Sequence, residues 1–340
     1  MPMRNARTAI KAIASHSSEL NGVCVALVLI AMLSNLARTN EAKIAELRQR
    51  MLSQINAARR AHGIPTVQLD QLATMVAQRH AMDMAMHGYF SHWNRQGLKP
   101  YMRYSLAGGY HAISENLSRI KGIPMHEAPQ RIIASYLAEQ PPNDGHRRTL
   151  LDRHATHVGI GVAIKDDWVY VAQEFVRKYV SMLPLPQFTT LDEEVHLLGR
   201  LHRGLKFHNV DVFYEPLPEP MSIERLKRTS SYGLPRHRRS LFKVLPPRAR
   251  YPDGSRGDVL VTDNGSFTCR IPFFAKRPGV YTIVVWVTKS GAPAPMQATM
   301  CSIFVCRTKA QIVKLKRRFT AYTNLTAIGL LSELESLKSK

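Results

Sequence analysis

Cysteine is scarce in this 340-residue chain. Its four cysteines include no Cys-x-x-Cys spacing, which excludes a zinc–thiolate module and a dense disulfide scaffold. Acidic side chains are also in short supply, with 25 Asp and Glu against 47 Lys and Arg. A net charge of +22 favours a partner of negative charge: nucleic acid, anionic lipid or an acidic envelope polymer. No His-Glu-x-x-His helix occurs, since His126-Glu127 runs into Ala128 and Pro129, and this removes the familiar metalloprotease arrangement. Long apolar runs are missing except for one near the start, from Gly22 to Ala37, which is short for a comfortable membrane span.

That run follows Arg4, Arg7 and Lys11 and ends at Arg38, the pattern of a signal peptide or N-terminal membrane anchor over residues 1–37. Asn35 stands where a cleavage site after Ala37 calls for a small residue, so cleavage and retention both stay open. Export places the protein outside the cytoplasm, whether secreted, periplasmic or anchored, and argues against nucleic acid as the partner. The remaining length suits two domains. A proline-bearing connector at 181–189 separates a first domain, 38–180, from a second at 190–308, with an amphipathic helix from 309 to 340.

In the first domain, helical spacing runs through Ile44, Leu47, Met51, Ile55 and Ala58 and stops near Gly63 and Pro65. A second helix carries Leu72, Met75, Val76, Arg79, His80, Asp83 and Met84. Further on, Glu139 precedes a Pro141-Pro142-Asn143-Asp144-Gly145 turn and His146, so a carboxylate and an imidazole converge beside the strand that starts at His157. That strand pairs with Trp168–Gln173 across a turn at Asp166 and Asp167.

Several of these stretches occur in an order that resembles the CAP superfamily of cysteine-rich secretory, antigen 5 and pathogenesis-related 1 proteins, in its bacterial branch. They are Ile55-Asn56 to Arg59, Leu69-Asp70, His80 to Met84, Tyr89-Phe90-Ser91-His92, Ser114-Glu115-Asn116-Leu117, Gly145-His146-Arg147, His157 to Gly161 and Gln173-Glu174-Phe175, over about residues 45–176. The resemblance implies an α-β-α sandwich with a cavity lined by His92, Glu115, Glu139 and His146. Tyr136 stands where the family usually has a tryptophan before the second acid. Two neutral imidazoles, His92 and His146, can ligate a divalent metal such as zinc, while the carboxylates orient the rings or polarise a bound water. The leading expectation is a binding module for a metal, lipid or peptide. The alternative is a metal-dependent hydrolase with Glu115 or Glu139 as general base. His80, His87, His111, His154 and His157 read as packed or solvated histidines.

The second domain shows short strand-like runs at 209–214, 257–262, 266–274, 280–287 and 298–305, with a hairpin at Asp263-Asn264-Gly265. The fold class is therefore α+β: the CAP sandwich, an all-β immunoglobulin-like sandwich and a C-terminal helix. Strand alternation allows a Cys269–Cys301 bridge, Cys269 pairing with Cys306, or three free thiols. A basic stretch holding Arg225, Lys227, Arg228, Arg236, Arg238 and Arg239 is the candidate polyanion contact. Beyond it, Ile312, Leu315, Phe319, Tyr322, Leu325, Leu330, Leu331, Leu334 and Leu337 form an apolar stripe.

Overall fold

The structure is a computed structural model that describes residues 42–289 and 294–325. The chain divides into two compact units, residues 1–49 and 50–340. In the first, residues 42–49 are helical. The export run at 22–37, Cys24, and the helix expected at 326–340 lie outside the described residues. Among the described residues, no helix is long and apolar enough to cross a membrane.

The larger unit opens with helix α1 (residues 50–61), ended by Gly63 at φ 65°. Strand β1 (Gln68–Leu69) leads into α2 (Gln71–His87), whose N-terminus is capped by Asp70 accepting from the Ala73 amide at 2.6 Å. Gly88 stops α2 at φ 66°, a conformation that favours glycine. Then come α3 (Pro100–Leu106), β2 (Ala112–Lys121), α4 (Ala128–Ala138), α5 (Gly145–Leu150), β3 (His157–Lys165) and β4 (Trp168–Arg177). The strands form a sheet in the order β1-β3-β4-β2, so β2 is an edge strand. β3 and β4 meet at the expected two-residue turn, with Asp166 at φ 55°.

Register decides which side chains share a face. Gly159, Glu174 and Glu115 stand opposite one another across β3, β4 and β2, and α2 covers that face. A Cβ on Gly159 would come within 2.1 Å of the Ala73 carbonyl carbon, and one on Gly161 within 2.1 Å of that of Ala77. The spacing Gly-x-Gly in β3 is therefore what lets the α2 backbone lie on the strand. On the opposite face Gln173 reaches Met51 of α1, which completes an α-β-α sandwich.

The second half contains β5 (Val180–Met182), β6 (Phe188–Thr190), β7 (His196–Leu201), β8 (Leu205–Glu215), α6 (Ile223–Lys227), β9 (Leu241–Val244), β10 (Leu260–Val261), β11 (Ser266–Arg270), β12 (Gly279–Lys289), β13 (Met296–Gln297) and β14 (Cys301–Cys306). Two sheets result, β5-β7-β11-β10 and β6-β14-β12-β8-β9, with β13 paired to β12. Leu197, Phe267 and Cys269 from one sheet meet Val212, Ile283 and Ile303 from the other in a shared core. The expected strand at 257–262 is reduced to Leu260–Val261.

Three expectations are corrected. Residues 181–189 are not a free connector: β5 pairs with β7 and β6 runs parallel to β14, so this stretch closes one edge of each sheet. The Cys269–Cys301 bridge is not formed, and Cys269, Cys301 and Cys306 are all buried free thiols. Cys269 faces the inter-sheet core, whereas Cys301 lines a separate cavity near Gly109 and Tyr110. The C-terminal helix runs as α7 (Lys309–Arg318) and then a short α8 (Thr320–Thr323).

The halves share a core. Ala73, Val76, Tyr101 and Tyr104 of the first half pack with Phe213, Val284 and Phe304 of the second, and Leu315, Phe319, Tyr322 and Leu325 fill the same cluster. Backbone pairing continues across the junction, where the Ala112 amide donates to Ala298 at 3.1 Å and the Met300 amide donates to Tyr110 at 3.2 Å.

Gly159→Ala or Gly161→Ala should lower unfolding stability by about 3 kcal/mol, because backbone rather than a flexible side chain must move; denaturant midpoints at constant m-value check this. His111 lies at the junction with a buried Nδ1 that has no hydrogen-bond partner among the described residues, and burial, reinforced by Lys178, lowers its pKa to about 4. The unfolded chain therefore binds a proton that the folded chain refuses between the usual value near 6.5 and 4. This contribution is complete above the usual value and is lost as pH falls through that window. Replacing His111 by Gln should make the stability profile shallower by about 1.4 kcal/mol per pH unit there.

Candidate ligand cleft

A cavity of about 750 Å³ opens at the β2 edge, and His92, Glu115, Glu139 and His146 all line it. They arrive from opposite layers of the sandwich. Glu115 projects from β2 on the α2 side, and the loop after α2 brings His92 onto it, with Nδ1 donating to Oε1 at 2.7 Å. Asn116, the next residue and hence on the other face, donates to the His146 carbonyl at 2.9 Å. The adjacent residues of the Glu115-Asn116 pair thus fix one histidine on each side of the strand.

Glu139 ends α4 in an extended conformation and turns toward α5. Its Oε2 accepts from the backbone amides of His146 at 2.9 Å and Arg147 at 3.2 Å, and its Oε1 accepts from His146 Nδ1 at 2.5 Å. A carboxylate at a helix N-terminus satisfies orphan amides, so Glu139 both builds α5 and orients the imidazole. Tyr136 stacks on His146, centroids 4.8 Å apart and planes 8° from parallel. The aromatic three residues before the acid therefore supports the second histidine.

Three further residues belong to the site, and of these only Glu174 falls within one of the ordered stretches, Gln173-Glu174-Phe175. Arg103, fully buried in α3, donates to the His92 carbonyl at 2.6 Å, to Leu98 at 3.2 Å and to Glu115 Oε2. Glu174, also fully buried, sits 3.5 Å from the same guanidinium. Burial first, then the Glu115 charge, pushes the Glu174 pKa well up, which disfavours a second negative charge beside the same cation. Burial also raises Glu115, opposed by Arg103. His92 is lowered to about 3 by burial and then by Arg103 and His146, which makes it a neutral imidazole. Tyr232 comes from the middle of the basic stretch. Its ring lies 4.6 Å from that of His92 and its hydroxyl accepts from the Glu115 amide at 2.5 Å. A lone charge among the buried residues of α3, and an acid inside a buried strand, are the signals by which Arg103 and Glu174 could be found.

Both histidines direct Nδ1 to a carboxylate and leave Nε2 without a hydrogen bond among the described residues. This is the arrangement of a metal-ligating imidazole with its orienting partner. No group of three or more His, Cys, Asp or Glu able to hold a metal occurs among the described residues. The cleft thus presents two imidazoles whose Nε2 atoms have no hydrogen bond among the described residues, and its carboxylates are occupied as hydrogen-bond acceptors.

The other histidines stay apart from this chemistry. His80 is buried, bonded through Nε2 to the Ser91 carbonyl at 2.9 Å. His87 pairs with Asp83, and His157 meets Thr156 at the start of β3. Arg225, Lys227, Arg228, Arg236, Arg238 and Arg239 are all exposed and make no ion pair among the described residues. They flank the segment that enters the cleft without lining it.

Removing Arg103 leaves Glu115 buried without its cation, so Arg103→Ala should lower stability by about 3–5 kcal/mol, with a smaller loss for Arg103→Lys. Urea denaturation at neutral pH checks the order, and equal losses for both would contradict the charge assignment.

Comparison with known proteins adds the family. Residues 52–179 match the model of the CAP cysteine-rich secretory protein family. The uncharacterized protein YkwD of Bacillus subtilis is 23% identical over 129 residues, 38% of this chain and 47% of its own length. The uncharacterized membrane protein YlbC of the same organism is 26% identical over 137 residues, 38% of this chain and 34% of its own length. The chain thus spans less than half the length of these curated relatives. Among solved structures, an extracellular protein of Bacillus anthracis containing an SCP domain is 27% identical, covering 38% of this chain and 40% of that one with a TM-score of 0.31. An outer surface protein of Borrelia burgdorferi is 18% identical, covering 39% of this chain and 92% of that one with a TM-score of 0.32. The ordered motifs, the α-β-α layers and the family match thus agree on a CAP domain over residues 52–179.

Proposed function

We propose that this is an exported, envelope-associated binding protein that holds its ligand between His92 and His146. The observation that carries this reading is the opposition of two carboxylate-oriented imidazoles across one open cavity of about 750 Å³. The depressed His92 pKa keeps that ring an acceptor at neutral pH. A divalent metal such as zinc would be held by the two Nε2 atoms, where it would supply Lewis acidity toward an oxygen-bearing ligand. The residues themselves orient: Glu115 and Glu139 fix the rings, and Arg103 fixes Glu115 and the His92 backbone.

A binding role is favoured over hydrolysis because both glutamates are already engaged. Glu115 accepts from Arg103 and His92, and Glu139 accepts from two backbone amides and His146, so neither is poised to take a proton from water. Location outside the cytoplasm is supported by the Gly22–Ala37 run with its preceding basic residues, and one of the curated relatives is named a membrane protein. The strand orders β5-β7-β11-β10 and β6-β14-β12-β8-β9, with the first edge divided between the sheets, support an immunoglobulin-like reading of the second half. The six exposed basic residues fit an anionic envelope lipid or acidic polymer beside the cleft.

Equilibrium dialysis of the purified full chain against zinc tests the cleft. The double variant His92→Ala, His146→Ala should lose about one equivalent of the metal relative to the parent, while keeping its circular dichroism. Unchanged stoichiometry in the folded variant removes the metal from this site.

A further inference from the structure

Resting on the reading of the cleft as a binding site, we infer that its ligand class is an extended peptide carrying an aromatic side chain, and that residues 229–233 of the chain itself fill this subsite. Residues 229–233, between α6 and β9, have no regular secondary structure where they cross the first domain. Its alternate carbonyls are each read by a side chain from the loop between α2 and α3. Ser91 Oγ donates to the Thr229 carbonyl, Trp93 Nε1 donates to that of Ser231 at 3.0 Å, and Lys99 Nζ donates to that of Gly233 at 2.8 Å. Between the last two anchors, the Tyr232 ring enters the cavity against His92.

This is the geometry of peptide recognition. Carbonyls two residues apart point the same way in an extended chain, so donors that take 229, 231 and 233 recognise backbone and ignore sequence, while the pocket between them selects the side chain. Backbone carbonyls of surface loops are met by water as well as by protein groups. Here three donors converge, and one is a lysine buried beside Glu215. The donors come from the stretch around Ser91 and His92, one of the ordered motifs, so the same loop supplies an imidazole to the cleft and the anchors for a chain lying over it. Tethering gives the segment an effective concentration on the order of millimolar, enough to keep weaker free peptides out. A peptide from outside must therefore displace Tyr232 or bind a chain from which it has been removed.

The probe is the fluorescein-labelled peptide Thr-Ser-Ser-Tyr-Gly-Leu, the sequence of residues 229–234, titrated by polarisation against full-length parent and Tyr232→Ala protein. The variant should bind it at least about tenfold more tightly than the parent, and exchange of Tyr for Ala in the peptide should remove that gain. A folded Tyr232→Ala chain that binds neither peptide, or both equally, overturns the inference. If Tyr232→Ala does not fold, Trp93→Phe keeps the ring and removes only the indole donor. It should raise tryptic cleavage after Arg228 and peptide uptake together, and the absence of both in the folded Trp93→Phe chain is equally decisive against it. Zinc dialysis on the same proteins separates the two readings: retained zinc without peptide binding sinks the peptide subsite alone, and peptide binding without zinc sinks only the metal.

Discussion

Arg103 is the charge on which the cleft depends. A guanidinium with no exposure is tolerated only where its donors are taken and its charge is met. Here the donors go to the His92 and Leu98 carbonyls and to Glu115, with Glu174 alongside. Each contact also orients something. The backbone bond sets the height of the His92 loop, the carboxylate bond leaves Glu115 Oε1 free to orient the imidazole, and burial, followed by the field of the cation, keeps that imidazole neutral. The second histidine is organised differently, by a glutamate that caps a short helix at the cavity mouth. One half of the site is thus more deeply buried, the other closer to solvent.

The second half of the chain does more than space the first. Tyr101 and Tyr104 pack in one cluster with Phe213, Phe304 and Phe319, and Lys99 is neutralised by Glu215 of β8. Gln297 and Met300 reach the cavity wall together with the Tyr232 segment. The two halves thus share one buried core, and residues of both line the cleft.

Much of the site is legible in the sequence because it is written in short local stretches. Glu115-Asn116 alternates across a strand, Glu139 and His146 bracket a proline turn, and Gly159 and Gly161 mark where α2 touches β3. Each signal is set by backbone geometry within a few residues. Arg103 stays hidden since nothing near it in sequence explains a buried charge, and although Glu174 falls in one of the ordered stretches, its place beside Arg103 is not legible there; the partners of Arg103 lie 12 and 71 positions away in the chain, at Glu115 and Glu174. The stretch at 181–189 reads as a connector for a related reason: proline and leucine in alternation look the same whether the segment is solvated or pairs at two sheet edges.

The sequence by itself determined the first two helices, the β3–β4 pair, the Glu139–His146 turn and the basic character of the second half, and its resemblance to the CAP family implied the set His92, Glu115, Glu139 and His146. The helices, the turns and the charge follow from periodicity, turn residues and composition, which act locally. Only the tertiary structure decided that the halves share a core, that Cys269, Cys301 and Cys306 stay unpaired, and that a tyrosine from a basic loop lies on His92. Those outcomes depend on which surfaces bury each other, and burial couples residues far apart in the chain, at separations where no local preference operates.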